Sequence, residues 1–398
     1  MSDPLEGLVD HTDDVGPAIE DLKDGVILGV DTEFFWERTY DPVLALLQVS
    51  ARTAEGETFA FAFDPLRVDV RPVVEFLCES DCVKIFHAGR IDLEILNGLA
   101  PRLIEPVFDT QRAASLCGLG GQVGYANLIQ ALVGQKITKT EQYADWTKRP
   151  LRPAQLDYAL ADVLPLLDAH KALVEQLKES GRTEWAVEEV SDLTDPASYR
   201  KVPADERYLK VKGTRAVDRR GLGILRELAA WREAEAERRD LRPGFVFKDP
   251  VLIDLARRAP TRSQDLSQVR GLHRGEIKRN GDAILKAIKR GLDLPESELP
   301  DKKKRGNHKR VGGVLDLLKA FLGQRSEELG IASETVATSG DLERLAKDEK
   351  RERFAKDHRI LQGWRGELIG EDLCKILRGE VRLAVDPEQP GRVKLFQL

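Results

Sequence analysis

Cysteine is scarce: 4 in 398 residues, at Cys78, Cys82, Cys117 and Cys374. That is too few and too scattered for a disulfide framework, and Cys78 and Cys82 lack the paired Cys or His spacing of a zinc site. Long apolar runs are missing too, so no stretch reads as a membrane span. The start, Met1-Ser-Asp-Pro-Leu-Glu-Gly-Leu8, lacks the basic opening and apolar core of a secretory leader. The expectation is a cytoplasmic protein without a membrane partner. No Gly-Lys-Ser/Thr phosphate loop occurs anywhere, which excludes a helicase. What is present is 41% hydrophobic and 33% charged, enough apolar material for real cores, in a length that predicts roughly two to three domains.

The net charge of -6 conceals an asymmetry. Residues 1–204 carry 19 basic against 35 acidic groups, whereas residues 205–310 carry 28 against 17. An acidic front half suits metal chemistry, and a basic middle suits a polyanion, although Arg-rich solvated helices are the competing reading.

The chain is organised around Val26-Ile-Leu-Gly-Val-Asp-Thr-Glu-Phe34. Val26, Ile27, Leu28 and Val30 read as a strand buried on both faces, and its period of two puts Asp31 and Glu33 on one side. Two like charges at the end of a buried strand are costly unless a cation sits between them. The alternative is a strand that frays into solvent at Asp31.

Residues 12–24 predict an amphipathic helix before this strand. Leu44–Val49 and Thr58–Phe63 after it predict two more strands, giving an antiparallel meander. The aromatic turn between, Phe34-Phe-Trp-Glu-Arg-Thr-Tyr-Asp-Pro42, leaves the strand beside the two acids. Phe34, Phe35 and Trp36 are candidates for stacking on a base, with core packing as the competing fate. Strand and helix then alternate: helix Arg71–Cys78, strand Val83–Phe86, helix Asp92–Asn97, strand Val107–Phe108. A mixed sheet with helices packed on it follows. From Pro153 a helix is predicted through Leu167 or beyond, with Leu156, Leu160, Val163 and Leu167 facing the core. Tyr158 and Asp162 lie on nearly the opposite side, one turn apart. Pro165 has no N–H for the carbonyl of Ala161 and is expected to bend the helix.

Asp31-Thr-Glu33, His87-Ala-x-x-x-Asp92-Leu-Glu94 and Tyr158-x-x-x-Asp162 together resemble the three exonuclease motifs of the DEDD superfamily in its tyrosine-type branch. Arg38-Thr-Tyr40, Phe108-Asp-Thr-Gln111, Asp145-Trp146 and Arg149-Pro-Leu151 narrow the likeness to the bacterial ribonuclease D family, over about residues 20–180. The resemblance implies an α/β ribonuclease-H-like fold in which Asp31, Glu33, Asp92 and Asp162 hold two divalent cations. Hard oxygen ligands favour Mg²⁺ or Mn²⁺ over Zn²⁺. By family analogy Asp31 bridges both ions, Glu33 and Asp162 complete the first site, Asp92 serves the second, and Tyr158 orients the attacking water. His87 falls in the second motif as a substrate-binding candidate. Asp41 departs from the family pattern, which often has an aromatic just before the proline of this loop.

Beyond residue 215 a helical theme repeats after about 90 residues. Leu225–Arg232, Pro250–Ala256 and Gly281–Lys289 open helices, and Asp341–Ala346 and Gly370–Leu377 echo them. The first copy resembles the helicase-and-RNase-D C-terminal (HRDC) domain, and the second, more diverged, is read the same way. The expected organisation is an exonuclease domain at 1–204, two small all-α HRDC-like domains at 205–300 and 312–398, and a basic linker at 301–311. Arg238 and Arg239 are among the candidates for RNA backbone contact. The resemblance implies a 3′-to-5′ exoribonuclease releasing 5′-mononucleotides from structured RNA with a short single-stranded 3′ tail, such as a tRNA precursor; a monomer is expected. A DNA exonuclease of repair and a catalytically degenerate RNA-binding protein are the alternatives.

Overall fold

A computed structural model describes residues 7–138, 140–301, 311–348 and 358–398, so most of the basic linker lies outside the described residues. The chain divides into two compact units. One comprises the residues up to Glu33, Leu44–Tyr199 and the C-terminal stretch ending at Leu398; the other comprises Phe34–Val43 and Arg200–Gly306.

The first unit is built on a six-stranded mixed sheet with strands β1 (Leu8–Val9), β2 (Gly25–Phe35), β3 (Val43–Thr53), β4 (Thr58–Phe63), β5 (Val83–Phe86) and β6 (Val107–Asp109), in the order β1-β4-β3-β2-β5-β6. β3 and β4 pair antiparallel, while β2–β5 and β5–β6 pair parallel. The sheet does not fray at Asp31, because β2 runs on to Phe35. Val26 corrects the expectation of a strand buried throughout: it is 53% exposed at the strand's entry, whereas Leu28 and Val30 are fully buried.

Helices pack on this sheet where their apolar stripes dictate. In α1 (Thr12–Lys23) Val15, Ala18, Ile19 and Leu22 form one buried face. Helices α2 (Arg71–Glu79), α3 (Arg90–Leu99), α4 (Thr110–Leu116) and α5 (Tyr125–Leu132) follow. Helix α6 (Pro153–Glu179) opens with proline at its first position and runs through Pro165 as one 27-residue element. Helix α7 (Thr183–Val190) is succeeded by short 3₁₀ turns.

The C-terminal helices lie in this same unit. Leu173, Leu177 and Ala186 share a core with Leu318, Leu342, Leu345 and Trp364. Trp364 stacks on Trp185 with ring centroids 4.9 Å apart, and the buried Arg365 pairs with Glu189 at 2.5 Å. This segment is not all-helical: Val381–Val385 and Val393–Gln397 form an antiparallel hairpin, β7 and β8. The alternation Val381, Leu383, Val385 before a Pro- and Gly-containing turn drives it.

The second unit is helical around α8 (Arg219–Arg238), with Asp249–Arg258 and Arg274–Asp293 packed against it. Its core joins Leu225, Leu228, Leu252, Leu255, Ile284 and Ile288. Tyr40 docks here too, its hydroxyl donating to Glu233 at 2.7 Å and its backbone N–H to Asp240 at 3.0 Å.

Candidate active site

Three elements of the first unit deliver the acids. β2 puts Asp31 and Glu33 on one face, and α6 brings Asp162 to them. One carboxylate oxygen from each of the three lies within 4.8 Å of the others. The fourth acid, Asp92, sits in the first turn of α3, where the helix dipole favours it, and accepts a hydrogen bond from Thr32 Oγ1 between the two strand acids.

The turn that delivers Asp92 is held by Asp109. This buried carboxylate accepts from the N–H groups of Ala88 and Gly89 at 3.3 and 3.0 Å, and from Gln111 and Arg112 at the start of α4. It lets Ala88 keep a left-handed φ of 56°. Gly89 is required at this turn, since a Cβ there would lie 2.4 Å from that of Phe86. Sequence reasoning met Asp109 only as part of a family motif; its capping role became visible with the tertiary contacts.

The electrostatics are those of acids forced together. Burial, then Asp92, Asp162 and Glu33, push Asp31 well above the carboxylate range. Glu33 is pushed up to about 8 by burial, then by Asp162 and Asp92. Burial lifts Asp162 to about 7 against the opposing effect of the Tyr158 hydroxyl beside it. Asp92 rises to about 6, again by burial, with the Thr32 hydroxyl holding it lower. Tyr158 is raised by burial and by the Asp162, Glu33 and Asp31 charges, so it stays a protonated donor. A dense set of carboxylates with oxygen-only ligands fits a hard divalent cation, which supplies the missing positive charge.

Among the remaining predicted site residues, His87, Trp36, Arg238 and Arg239 have their own partners. His87 donates from Nδ1 to Thr110 Oγ1 at 2.9 Å, the threonine hydroxyl itself donating to the Phe86 carbonyl at 3.0 Å. Burial lowers its pKa, so it is neutral, and its ring stands edge-on to Tyr125 at 5.5 Å. Phe34, Phe35 and Trp36 are half-buried. In the second unit, the Trp36 indole donates to the Tyr40 carbonyl at 3.2 Å and has the Arg242 guanidinium 5.1 Å from its ring centre. Arg238 is largely exposed and paired with Glu235 at 2.7 Å. Arg239, with a side chain only 19% exposed, pairs with Glu276 at 3.5 Å.

The Arg149-Pro-Leu151 stretch bolts a loop to the sheet: Arg149 Nη2 donates to Asp64 at 2.6 Å and to the Ala45 carbonyl at 2.7 Å. Two further residues at the site, Ser50 and Tyr125, belong to no sequence motif. Both donate to backbone carbonyls of α6 on either side of Asp162.

Paired strand acids, a helix-borne Asp and a Tyr-x-x-x-Asp helix on a mixed sheet define a metal-dependent exonuclease of the DEDD class. A family described as 3′-5′ exonuclease matches residues 8–178, and the HRDC domain matches residues 221–288. Ribonuclease D of Granulibacter bethesdensis is 36% identical over 393 residues, covering 97% of this chain and 96% of that protein. Ribonuclease D of Gluconacetobacter diazotrophicus is 36% identical over 395 residues, covering 98% and 97%. Among solved structures, Escherichia coli RNase D, an exoribonuclease involved in structured RNA processing, superposes with a TM-score of 0.81 at 28% identity, covering 94% of this chain and 98% of that one. The chain belongs to the ribonuclease D family.

Proposed function

We propose that the chain is a two-metal-ion 3′-to-5′ exoribonuclease that removes nucleotides one at a time, as 5′-monophosphates, from single-stranded 3′ ends of structured RNA such as tRNA precursors. The observation that carries this reading is the meeting of Asp31, Glu33 and Asp162 oxygens within 4.8 Å, in a chain 36% identical to a ribonuclease D over nearly its whole length.

Asp31, Glu33 and Asp162, with Asp92 beside them, would hold the two cations. Mg²⁺ or Mn²⁺ bound there supplies Lewis acidity toward the scissile phosphate and lowers the pKa of the attacking water. Tyr158, kept protonated by its surroundings, orients that water rather than taking its proton. Thr32 fixes the Asp92 carboxylate through its hydroxyl. Phe34, Phe35, Trp36 and His87 are assigned to the terminal nucleotides, and Arg238 and Arg239 to the RNA backbone. The proposed boundaries are 1–204 for the exonuclease domain, 205–300 and 312–398 for the helical domains, and 301–311 for the linker. The protein is read as a cytoplasmic monomer; no described helix is long and apolar enough to cross a membrane.

The test is a time course on a 3′-tailed RNA and its DNA counterpart, each with Mg²⁺, Mn²⁺ or chelator, with products resolved by length. A metal-dependent ladder shrinking from the 3′ end of RNA is expected. Preference for DNA would make the protein a DNA exonuclease, and binding without cleavage would leave it an RNA-binding protein.

A further inference from the structure

Asp162 is delivered by a helix that cannot close its own hydrogen-bond ladder. Pro165 has no N–H, so the carbonyl of Ala161, four residues earlier, loses its helical donor. A carbonyl in such a place needs a partner from elsewhere. Tyr125, from α5, provides it: its hydroxyl donates to Ala161 O at 2.8 Å. On the other side of Asp162, the carbonyl of Val163 accepts from Ser50 Oγ of β3 at 2.9 Å.

The two bonds flank one residue, and they come from different elements. Pinned at 161 and at 163, the backbone leaves the carboxylate of Asp162 little freedom to slide along or turn about the helix axis. Gly29 of β2 makes the second pin possible. A Cβ at that position would stand 2.5 Å from Ser50 Oγ and 2.8 Å from Val163 O. Tyr125 is held in turn by the edge of His87, which Thr110 anchors. Burial and the charges of Asp162 and Asp31 keep the Tyr125 hydroxyl protonated, so it remains a donor at any working pH.

We propose that Tyr125 is a positioning residue for hydrolysis, acting through the orphaned Ala161 carbonyl to fix the Asp162 carboxylate, with Ser50 as the second pin at Val163. The proposal rests on the metal-site reading given above. Tyr125 touches neither substrate nor cation in it. A metal site tolerates little looseness in its ligands, and partners behind a ligand typically set 10- to 100-fold in metal affinity or activity.

The test uses the full chain and three variants: Tyr125→Phe, Ser50→Ala and the double variant Tyr125→Phe/Pro165→Ala. Tyr125→Phe removes one hydroxyl and keeps the ring. Mn²⁺ affinity is measured by calorimetry without RNA, and kcat, KM and the metal concentration for half-maximal rate are measured with a 3′-tailed RNA. Tyr125→Phe is expected to weaken Mn²⁺ binding and raise the metal midpoint by about tenfold, and to lower kcat with KM unchanged. Ser50→Ala is expected to move the same quantities in the same direction. Replacing Pro165 by Ala returns an N–H to the helix, so the double variant should recover most of the loss. Wild-type Mn²⁺ affinity and kcat in both single variants, a change in KM alone, or no recovery in the double variant would overturn the proposal. If the wild type binds Mn²⁺ but cleaves nothing, the proposed activity fails, while the binding comparison still decides the role of Tyr125.

Discussion

Asp31 lies in the middle of the acid cluster, so neutralising it offers a direct test of what holds these charges together. The Asp31, Glu33 and Asp162 oxygens lie within 4.8 Å of one another. Two unit charges at that spacing repel by about 3.5 kcal/mol at an effective dielectric near 20. Asp31→Asn removes two such repulsions. Part of that strain is already relieved by protonation in the metal-free protein, because Asp31 itself is pushed well above the carboxylate range, Glu33 to about 8 and Asp162 to about 7.

A carboxyl whose pKa is raised by folding contributes stability below its unfolded value and loses it as pH climbs through the folded one. The chelated wild type should therefore weaken between about pH 4.5 and pH 8. At pH 8 the recoverable stabilisation in Asp31→Asn is about 2 to 3 kcal/mol, which corresponds to roughly 4 to 12 °C in Tm for a unit of this size. The assay is thermal unfolding in chelator and in Mg²⁺ from pH 5 to pH 8.5. The variant should melt higher than wild type in chelator at pH 8, while Mg²⁺ should raise Tm strongly in the wild type and little in the variant. A lower Tm for Asp31→Asn in chelator, or equal stabilisation of both proteins by Mg²⁺, would refute the account of these carboxylates as a cation site.

Three other outcomes are expected. Asp162→Asn should cut hydrolysis by about a thousandfold or more, equivalent to about 4 kcal/mol of lost transition-state stabilisation, and leave RNA affinity within a few fold in gel-shift titrations. His170, pushed down to about 4 by burial against Phe108, is neutral when folded and takes a proton on unfolding below about pH 6.5. Its contribution is thus present above pH 6.5 and lost as pH falls to about 4, and His170→Leu should flatten that part of the denaturation profile by up to roughly 3 kcal/mol. Arg238→Glu should reduce the salt slope of binding to a folded RNA by about one, with an unchanged slope returning this arginine to ordinary surface.

The local parts of this architecture were legible because short-range physics writes them. The strand Val83–Phe86 and the strand Thr58–Phe63 sit where the apolar pattern puts them. The terminal hairpin is also written locally, in the alternation of Val381, Leu383 and Val385 before a turn, and it departs from the all-helical expectation for 312–398. Membership of the two units was not readable. Phe34–Val43 groups with Arg200–Gly306 because Tyr40 packs into that helical core, a choice made by contacts some 200 residues apart.

The sequence by itself determined which groups carry the chemistry: the period of a strand aligns Asp31 with Glu33, and the pitch of a helix aligns Tyr158 with Asp162. Pro165 also marks, in the sequence alone, that the Ala161 carbonyl loses its helical donor. Only the tertiary structure decided that Tyr125 supplies the Ala161 carbonyl with a donor, that Ser50 holds Val163, and that acids from β2, α3 and α6 are brought close enough to raise one another's pKa. Backbone periodicity is set by neighbours along the chain, whereas desolvation and charge repulsion depend on which distant segments the folded core brings within a few ångströms.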